Sequence, residues 1–587
     1  MLRLPPVPGP RSLFHSACAA ALALAVSPAA GAQVDALSDA YPAGSVRGEA
    51  AVELLGDDLA RVAEESHMTM EEFTRRLRED DTLWVTGEGR PFFVDPARPD
   101  VEGPPPKYAG SIPVADAFTL HSRPGSNKIV YMDFTGHHSV NNNWGHNIQF
   151  PPYNTSGGSG TFSDQELLEI IEWWERVAED FAPFEIDVTT EEPPLSALTK
   201  NGSGDSTFGI RVVCTQITDG FGSGSGGIAL LNSFNDSIDN PCFAFNKGNN
   251  TGSMTVSHEA GHTFGLSHDG LNGSTYHPGT GSGETSWGPI MGAPFGSSLV
   301  QWSNGDYSGA STGQNDVNII TNSSNGVGLK ADDYGDSHTN ATPMPAPTSC
   351  PDPAPAAIEG LIETRDDVDS FAFSTGGGTV TVHATPFDPG GNLDIQIDLV
   401  TSTGVPVAVE NESNQADALM VVDVPAGDYV ILIDGVGKSG VYSDYGSLGQ
   451  YRVELTQPGL EPVANLGGGV VGGNGFTPVL QWSGTACEGE DVSLNLTAAA
   501  SNKPAYLVYG LAELSVPFKG GIMVPDFAPP GDFIQLQTGA FGGFLFLGVT
   551  WPAGIPSGTA LYFQYWISDA GAVQVFSASN GLRIVTP

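Results

Sequence analysis

Residues 258–268 read His-Glu-Ala-Gly-His-Thr-Phe-Gly-Leu-Ser-His, and no other run constrains the chain as much. Wound as a helix, it sets His258 and His262 one turn apart on a common face, with Glu259 beside them. Gly265 stands where the helix must stop and reverse, a place that favours positive φ, and the reversal can swing His268 toward the same point. Three neutral imidazoles suit zinc and leave the fourth tetrahedral position open, the pattern of a catalytic rather than a structural metal site. Glu259 is not needed as a ligand, so it is free to serve as general base in metal-assisted amide hydrolysis.

The flanking sequence supplies layers for such a helix to rest on. Residues 128–134 form an apolar run that reads as a buried strand. Ser163 followed by Glu166 is a capping box, and apolar residues at helical spacing from Leu167 to Phe181 predict an amphipathic helix over 164–181. Strands are expected at 185–190, 208–214 and 227–234, before the histidine helix over 254–266. That order predicts an α/β sheet with the helix laid against it. The glycine stretches 157–160 and 222–227 lack the context of a phosphate cradle and read as loops.

His258, Glu259, His262, Gly265 and His268 together resemble the metzincin signature of zinc peptidases. Asp269 directly follows the third histidine, as in the adamalysin or reprolysin-like branch, where the resemblance implies a supporting role behind the ligands. Met291, in Gly-Pro-Ile-Met-Gly, stands where the family's Met-turn would floor the metal. Position 293 is Ala, so the tyrosine that astacins and serralysins carry there is missing. Over residues 60–330 the chain resembles secreted bacterial metallopeptidases with this type of site. The resemblance implies one catalytic zinc on His258, His262 and His268, a zinc-activated water with Glu259 as its base, and protein or peptide substrates. It also implies that 227–234 is the edge strand on which a peptide substrate adds.

The N-terminus carries Arg3 and Arg11, an apolar stretch over 17–26 and Ala30-Gly31-Ala32, which predicts a secretory signal peptide over 1–32. Residues 33–117 are expected to be a propeptide and linker: one helix around 59–77, then a proline-rich run over 95–107. No cysteine lies between 33 and 213, so a cysteine cannot silence the metal; a carboxylate or steric cover remain as alternatives. The peptidase domain is expected over 118–331. An all-β stretch over 332–458 resembles a pre-peptidase C-terminal domain, a β-sandwich, and a second β module follows over 459–587 after a glycine-rich hinge at 466–475. In the first of these, Asp332, Asp333, Asp336, Asp366, Asp367 and Asp369 are candidate calcium ligands, with acidic turns as the alternative.

Four cysteines remain beyond the signal. Cys214 with Cys242 is the expected disulfide of an exported chain, while Cys350 with Cys487 would join two predicted domains and stays open. The 67 acidic against 23 basic residues give a net charge of −44, which repels nucleic-acid phosphates and anionic membranes. No stretch after the signal suits a membrane span, and the sequence leaves the oligomeric state undefined. Two function classes compete: an endopeptidase, for proteins or cell-wall peptides, and an adhesion or matrix-binding protein in which the β modules matter most. The intact Glu259 favours the enzyme.

Overall fold

The computed structural model describes residues 41–100, 112–145, 147–157, 161–216, 220–345, 355–457, 463–556 and 558–586. The expected signal peptide and Cys350 lie outside the described residues. The chain is mostly β, with few helices. Its site is carried by an eight-stranded mixed sheet. The leader supplies three of these strands: β1 (Val46–Arg47), β2 (Leu83–Val85) and β3 (Pro91–Pro96). The others are β4 (Lys128–Asp133), β5 (Asp187–Thr189), β6 (Phe208–Cys214), β7 (Ser225–Leu230) and β8 (Cys242–Ala244). Their spatial order is β1-β2-β3-β7-β8-β6-β4-β5.

Strands β5, β4, β6 and β8 run parallel, whereas β7 is antiparallel to β8. Every residue of β4, β6 and β7 is buried, which fits strands covered on both faces. The glycines at 226 and 227 are therefore strand, not loop: a side chain at Gly227 would strike Glu259 Oε1, and bare backbone lets β7 and the site helix approach. β7 is also not an edge. Leader strand β3 pairs with it antiparallel, Phe92 opposite Leu230 and Asp95 opposite Gly227.

Two helices pack together against the sheet, α4 (Asp164–Asp180) and α5 (Asn249–Phe264). Ser163 and Glu166 form the reciprocal capping box at the start of α4. Trp173 of α4 reaches α5 at Gly252, where any larger residue would collide with its ring. Helix α5 is buried from Asn250 to Phe264 and ends on Gly265 at φ 109°.

The single leader helix expected over 59–77 is two, α2 (Leu59–Glu65) and α3 (Met70–Glu79), and a further helix, α1 (Glu49–Leu55), precedes them. The break comes at His67, which takes φ 56°, after which Thr69 caps α3 by accepting from Glu72 N–H. Leu55, Val62, Phe73 and Leu77 pack with Leu231, so the leader and the segment after β7 share one apolar core.

The expected Cys214–Cys242 disulfide is absent: both are buried free thiols. They lie on neighbouring parallel strands, but Cys242 stands opposite Val212 and Cys214 opposite Ala244. That two-residue offset separates them by about 8 Å given ordinary strand spacings, beyond the reach of a disulfide.

Downstream, a five-stranded and a four-stranded sheet enclose one apolar core that includes Phe371, Ile397, Ile431 and Val453. A further β region follows, built on a six-stranded and a three-stranded sheet around Leu480, Leu496, Leu507 and Tyr565. The expected hinge at 466–475 is partly strand: Val463–Gly467 pairs with Gly581–Val585, and Val470 exchanges hydrogen bonds with Ala578. The first sandwich docks on the rear of α4. Glu179 accepts from the backbone and side-chain amides of Gln450 at 2.9 and 2.8 Å, and Asp180 accepts from Asn392 Nδ2 at 2.8 Å. Among the described residues no helix is long and apolar enough to cross a membrane.

Candidate metal centre

Helix α5 presents His258 and His262 on one face, their rings 4.8 Å apart, and the turn at Gly265 brings the His268 ring within 4.9 Å of His262. The outer nitrogens of the first two rings are fixed by the domain's own backbone. Nδ1 of His258 lies 2.8 Å from Ile290 O, and Nδ1 of His262 lies 2.7 Å from Leu266 O, so each donates there and turns Nε2 inward. Nδ1 of His268 faces a different partner, the leader carboxylate of Asp80, at 3.2 Å. Asp80 is held in turn by Thr82, whose hydroxyl donates to it at 2.5 Å.

The leader also fills the open position. Asp95 Oδ2 stands 2.9 Å from His258 Nε2 and 3.6 Å from His262 Nε2, and Oδ1 stands 3.0 Å from His268 Nε2. Asp95 and the three histidines form a buried group whose ligand atoms all lie within 4.8 Å of one another. The three Nε2 atoms and Asp95 Oδ2 are buried without a hydrogen-bonded partner, so they converge as donors to a shared ion do. Three imidazoles and a carboxylate oxygen are a set that zinc accepts.

Glu259 is fully buried beside this group. Burial and the facing Asp95 push its carboxyl well above the ordinary range. Against the burial that would raise it, the histidines hold Asp95 well below. Burial lowers His262 to about 4, keeping it neutral. His268 rises to about 9, because Asp95 and Asp80 outweigh its burial.

Met291 lies under the helix, its sulfur against Gly261, where a side chain would displace it. Asp269 connects the parts through its backbone: its N–H donates to Met291 O at 2.8 Å and its carbonyl accepts from His277 N–H at 2.7 Å. Its side chain is buried, raised by that burial to about 7, and faces the leader's Arg76. Tyr276, next to His277, points its hydroxyl at Asp95 Oδ1, 2.5 Å away. A cleft beside the metal group is walled by Met254, Thr255, Ile290, Ala293 and Phe295.

Asp80, Asp95 and Tyr276 were not singled out from the sequence. Phe92-Phe93-Val94 did carry a strand signal, which would have placed Asp95 at the end of a strand instead of the start of a linker. The acidic residues downstream divide. Asp332, Asp336 and Asp367 form one group, and Asp332, Asp333 and Glu363 another. Glu363 was not foreseen, Asp366 belongs to neither group, and Asp369 instead accepts from Tyr451.

Residues 192–269 match the family model described as Metallo-peptidase family M12B Reprolysin-like. This stretch of the chain is that of a metallopeptidase. No match is found among curated proteins. Among solved structures, the pre-peptidase C-terminal domain of collagenase from Bacillus anthracis is similar at 11% identity and TM-score 0.15, covering 22% of this chain and all of that one. A Ruminococcus gnavus beta-glucuronidase is similar at 8% identity and TM-score 0.11, over 37% of this chain and 34% of that one.

Proposed function

We propose that this metallopeptidase is a secreted, zinc-dependent endopeptidase of the metzincin, adamalysin-like kind, made as a zymogen that its own leader holds closed. On this reading 1–32 is the signal peptide, 33–117 the propeptide and linker, 118–331 the catalytic domain, 332–458 a pre-peptidase C-terminal-like sandwich and 459–587 a further β module. His258, His262 and His268 are the zinc ligands. One observation carries the reading: three inward Nε2 atoms converge on a single buried point beside an acid, Glu259, that ligates nothing.

Zinc, when bound, supplies a Lewis acid that polarises the peptide carbonyl and acidifies water. With Asp95 gone, Glu259 loses the facing negative charge that raises its pKa. It then takes the proton of the attacking water and passes it to the leaving amine. The substrate replaces β3 along β7, its backbone read by the strand amides, and its next side chain enters the cleft walled by Met254, Ile290 and Phe295. Asp95 supports latency in two ways: it occupies the open position, and β3 occupies the strand edge.

Casein hydrolysis by the processed protein tests the reading. Glu259→Gln should lower kcat by about a thousandfold or more while retaining zinc, and a chelator should abolish wild-type activity. Equal rates in all three samples sink it. We also propose calcium binding at the two overlapping groups, Asp332 with Asp336 and Asp367, and Asp332 with Asp333 and Glu363. The buried oxygens Glu363 Oε2 and Asp367 Oδ1, which lack hydrogen-bond partners, support it. Calcium should raise the melting temperature of the wild type but not of Asp367→Asn; no shift removes the proposal.

A further inference from the structure

We propose that Tyr276 is a catalytic residue of the peptidase, donating its phenolic hydrogen to the scissile carbonyl oxygen as that oxygen gains negative charge. The inference rests on the endopeptidase reading above.

The leader strand lies in the cleft as an antiparallel partner of β7, with Asp95 opposite Gly227 and so level with Glu259. Its carboxylate puts one carbon and two oxygens against the three histidines. A carbonyl under attack by water likewise bears two oxygens, the incoming one and the former carbonyl oxygen. Asp95 thus stands where the reacting carbon must sit, and the groups that face its carboxylate are those that will face the reaction. Besides the histidines, Glu259 and the Tyr276 hydroxyl do so.

Glu259 is committed to the water proton. The other oxygen then needs a donor, and the Tyr276 hydroxyl already donates to Asp95 Oδ1 at 2.5 Å, the oxygen beside His268. A hydrogen bond of this kind strengthens as charge develops and so lowers the barrier more than it aids binding. In the balanced step, the water oxygen bonds to the carbon and its proton moves to Glu259. The C–N bond then breaks and the amine leaves with that proton. Tyr276 keeps its own proton throughout.

Tyr276 touches the leader at Asp95 and Arg98, but the backbone next to it is held by the peptidase part. The adjoining His277 is pinned on both sides by the peptidase part: its N–H donates to Asp269 O at 2.7 Å and its carbonyl accepts from Ala293 N–H at 2.9 Å. The loop is thereby tied both to the third histidine and to the Met291 turn. The phenol ring also packs on His268, with centroids 4.4 Å apart. Departure of the leader would free the hydroxyl while the backbone ties of His277 to Asp269 and Ala293 remain.

The test uses the full-length chain, zinc-loaded and activated by limited proteolysis. Tyr276→Phe keeps the ring on His268 and should retain zinc. We expect kcat to fall by about 10- to 100-fold with KM changed by less than about threefold. The affinity of a phosphinic peptide, whose tetrahedral phosphorus carries two oxygens, should weaken by a similar factor in calorimetry. Binding of an uncleaved peptide in a Glu259→Gln background should not change. Wild-type kcat and phosphinate affinity in Tyr276→Phe, or a loss carried by KM alone, overturns the assignment. A zinc-loaded wild type that neither cleaves casein nor binds the phosphinate would overturn the peptidase reading itself, and this inference with it.

Discussion

The peptidase part is flanked by two neighbours, and carboxylates are buried at both contacts, yet they meet different partners. The leader directs Asp80 and Asp95 at histidines inside the cleft. On the opposite side, the first sandwich offers amides, from Asn392 and Gln450, to carboxylates that belong to the peptidase part, Asp180 and Glu179. The first contact uses groups that a substrate and an ion would otherwise engage, so it is exchangeable. The second pairs two buried acids of α4 with amides, away from the three histidines, so it is structural. On the proposed zymogen reading, one neighbour leaves and the other stays.

Breaking the exchangeable side should give the largest effect. Asp95→Ala in the unprocessed chain removes the carboxylate from the open position and should raise casein hydrolysis about a thousandfold, toward the rate of the processed protein; an unchanged latent rate would show that strand cover alone suffices. On the structural side, burial raises Glu179 and Asp180 each to about 7. The folded state therefore binds more protons than the unfolded one between about pH 4 and pH 7. Stability should fall by a few kcal/mol as pH rises through that window and level off above pH 8. Thermal melts across pH, with Glu179→Gln and Asp180→Asn flattening the slope, check the sign.

A smaller effect is expected from Asn392→Leu, which deprives buried Asp180 of a donor and should cost about 1 to 3 kcal/mol in denaturant titrations at pH 8. The smallest is at Asp80. Asp80→Asn weakens the hold on His268 and should reduce zinc affinity about tenfold in the latent chain. In the processed chain, where Asp80 is gone, the substitution has nothing to act on. An equal loss in both forms would contradict the leader's special role at the third histidine.

The parts of the site legible in the sequence are those whose geometry is local. A helical turn fixes the relation of His258, Glu259 and His262, and one glycine fixes the reversal before His268. What was not legible depends on pairing between distant segments. Asp95 reaches the metal group only because β3 adds to β7, a register that no local pattern encodes. Tyr276 arrives on an irregular loop whose path is set by backbone bonds to Asp269 and Ala293. The two cysteines mislead for the same reason: closeness in sequence suggested a bond that a two-residue offset between strands forbids. The leader helices were overrun because their apolar spacing continues across the break at His67.

The place of β3 in the sheet has a consequence for the chain before any peptide is cut. Without the leader, β7 would present a full row of unpaired backbone amides and carbonyls in a strand rich in small and apolar residues, the kind of border along which chains adhere to one another. While the leader is attached, that border is internal, and the outermost strand on that side is the two-residue β1, too short to recruit another chain. With the leader in place the protein therefore keeps its stickiest margin sealed, and, on the proposed zymogen reading, solubility at high concentration is a property that processing would trade away.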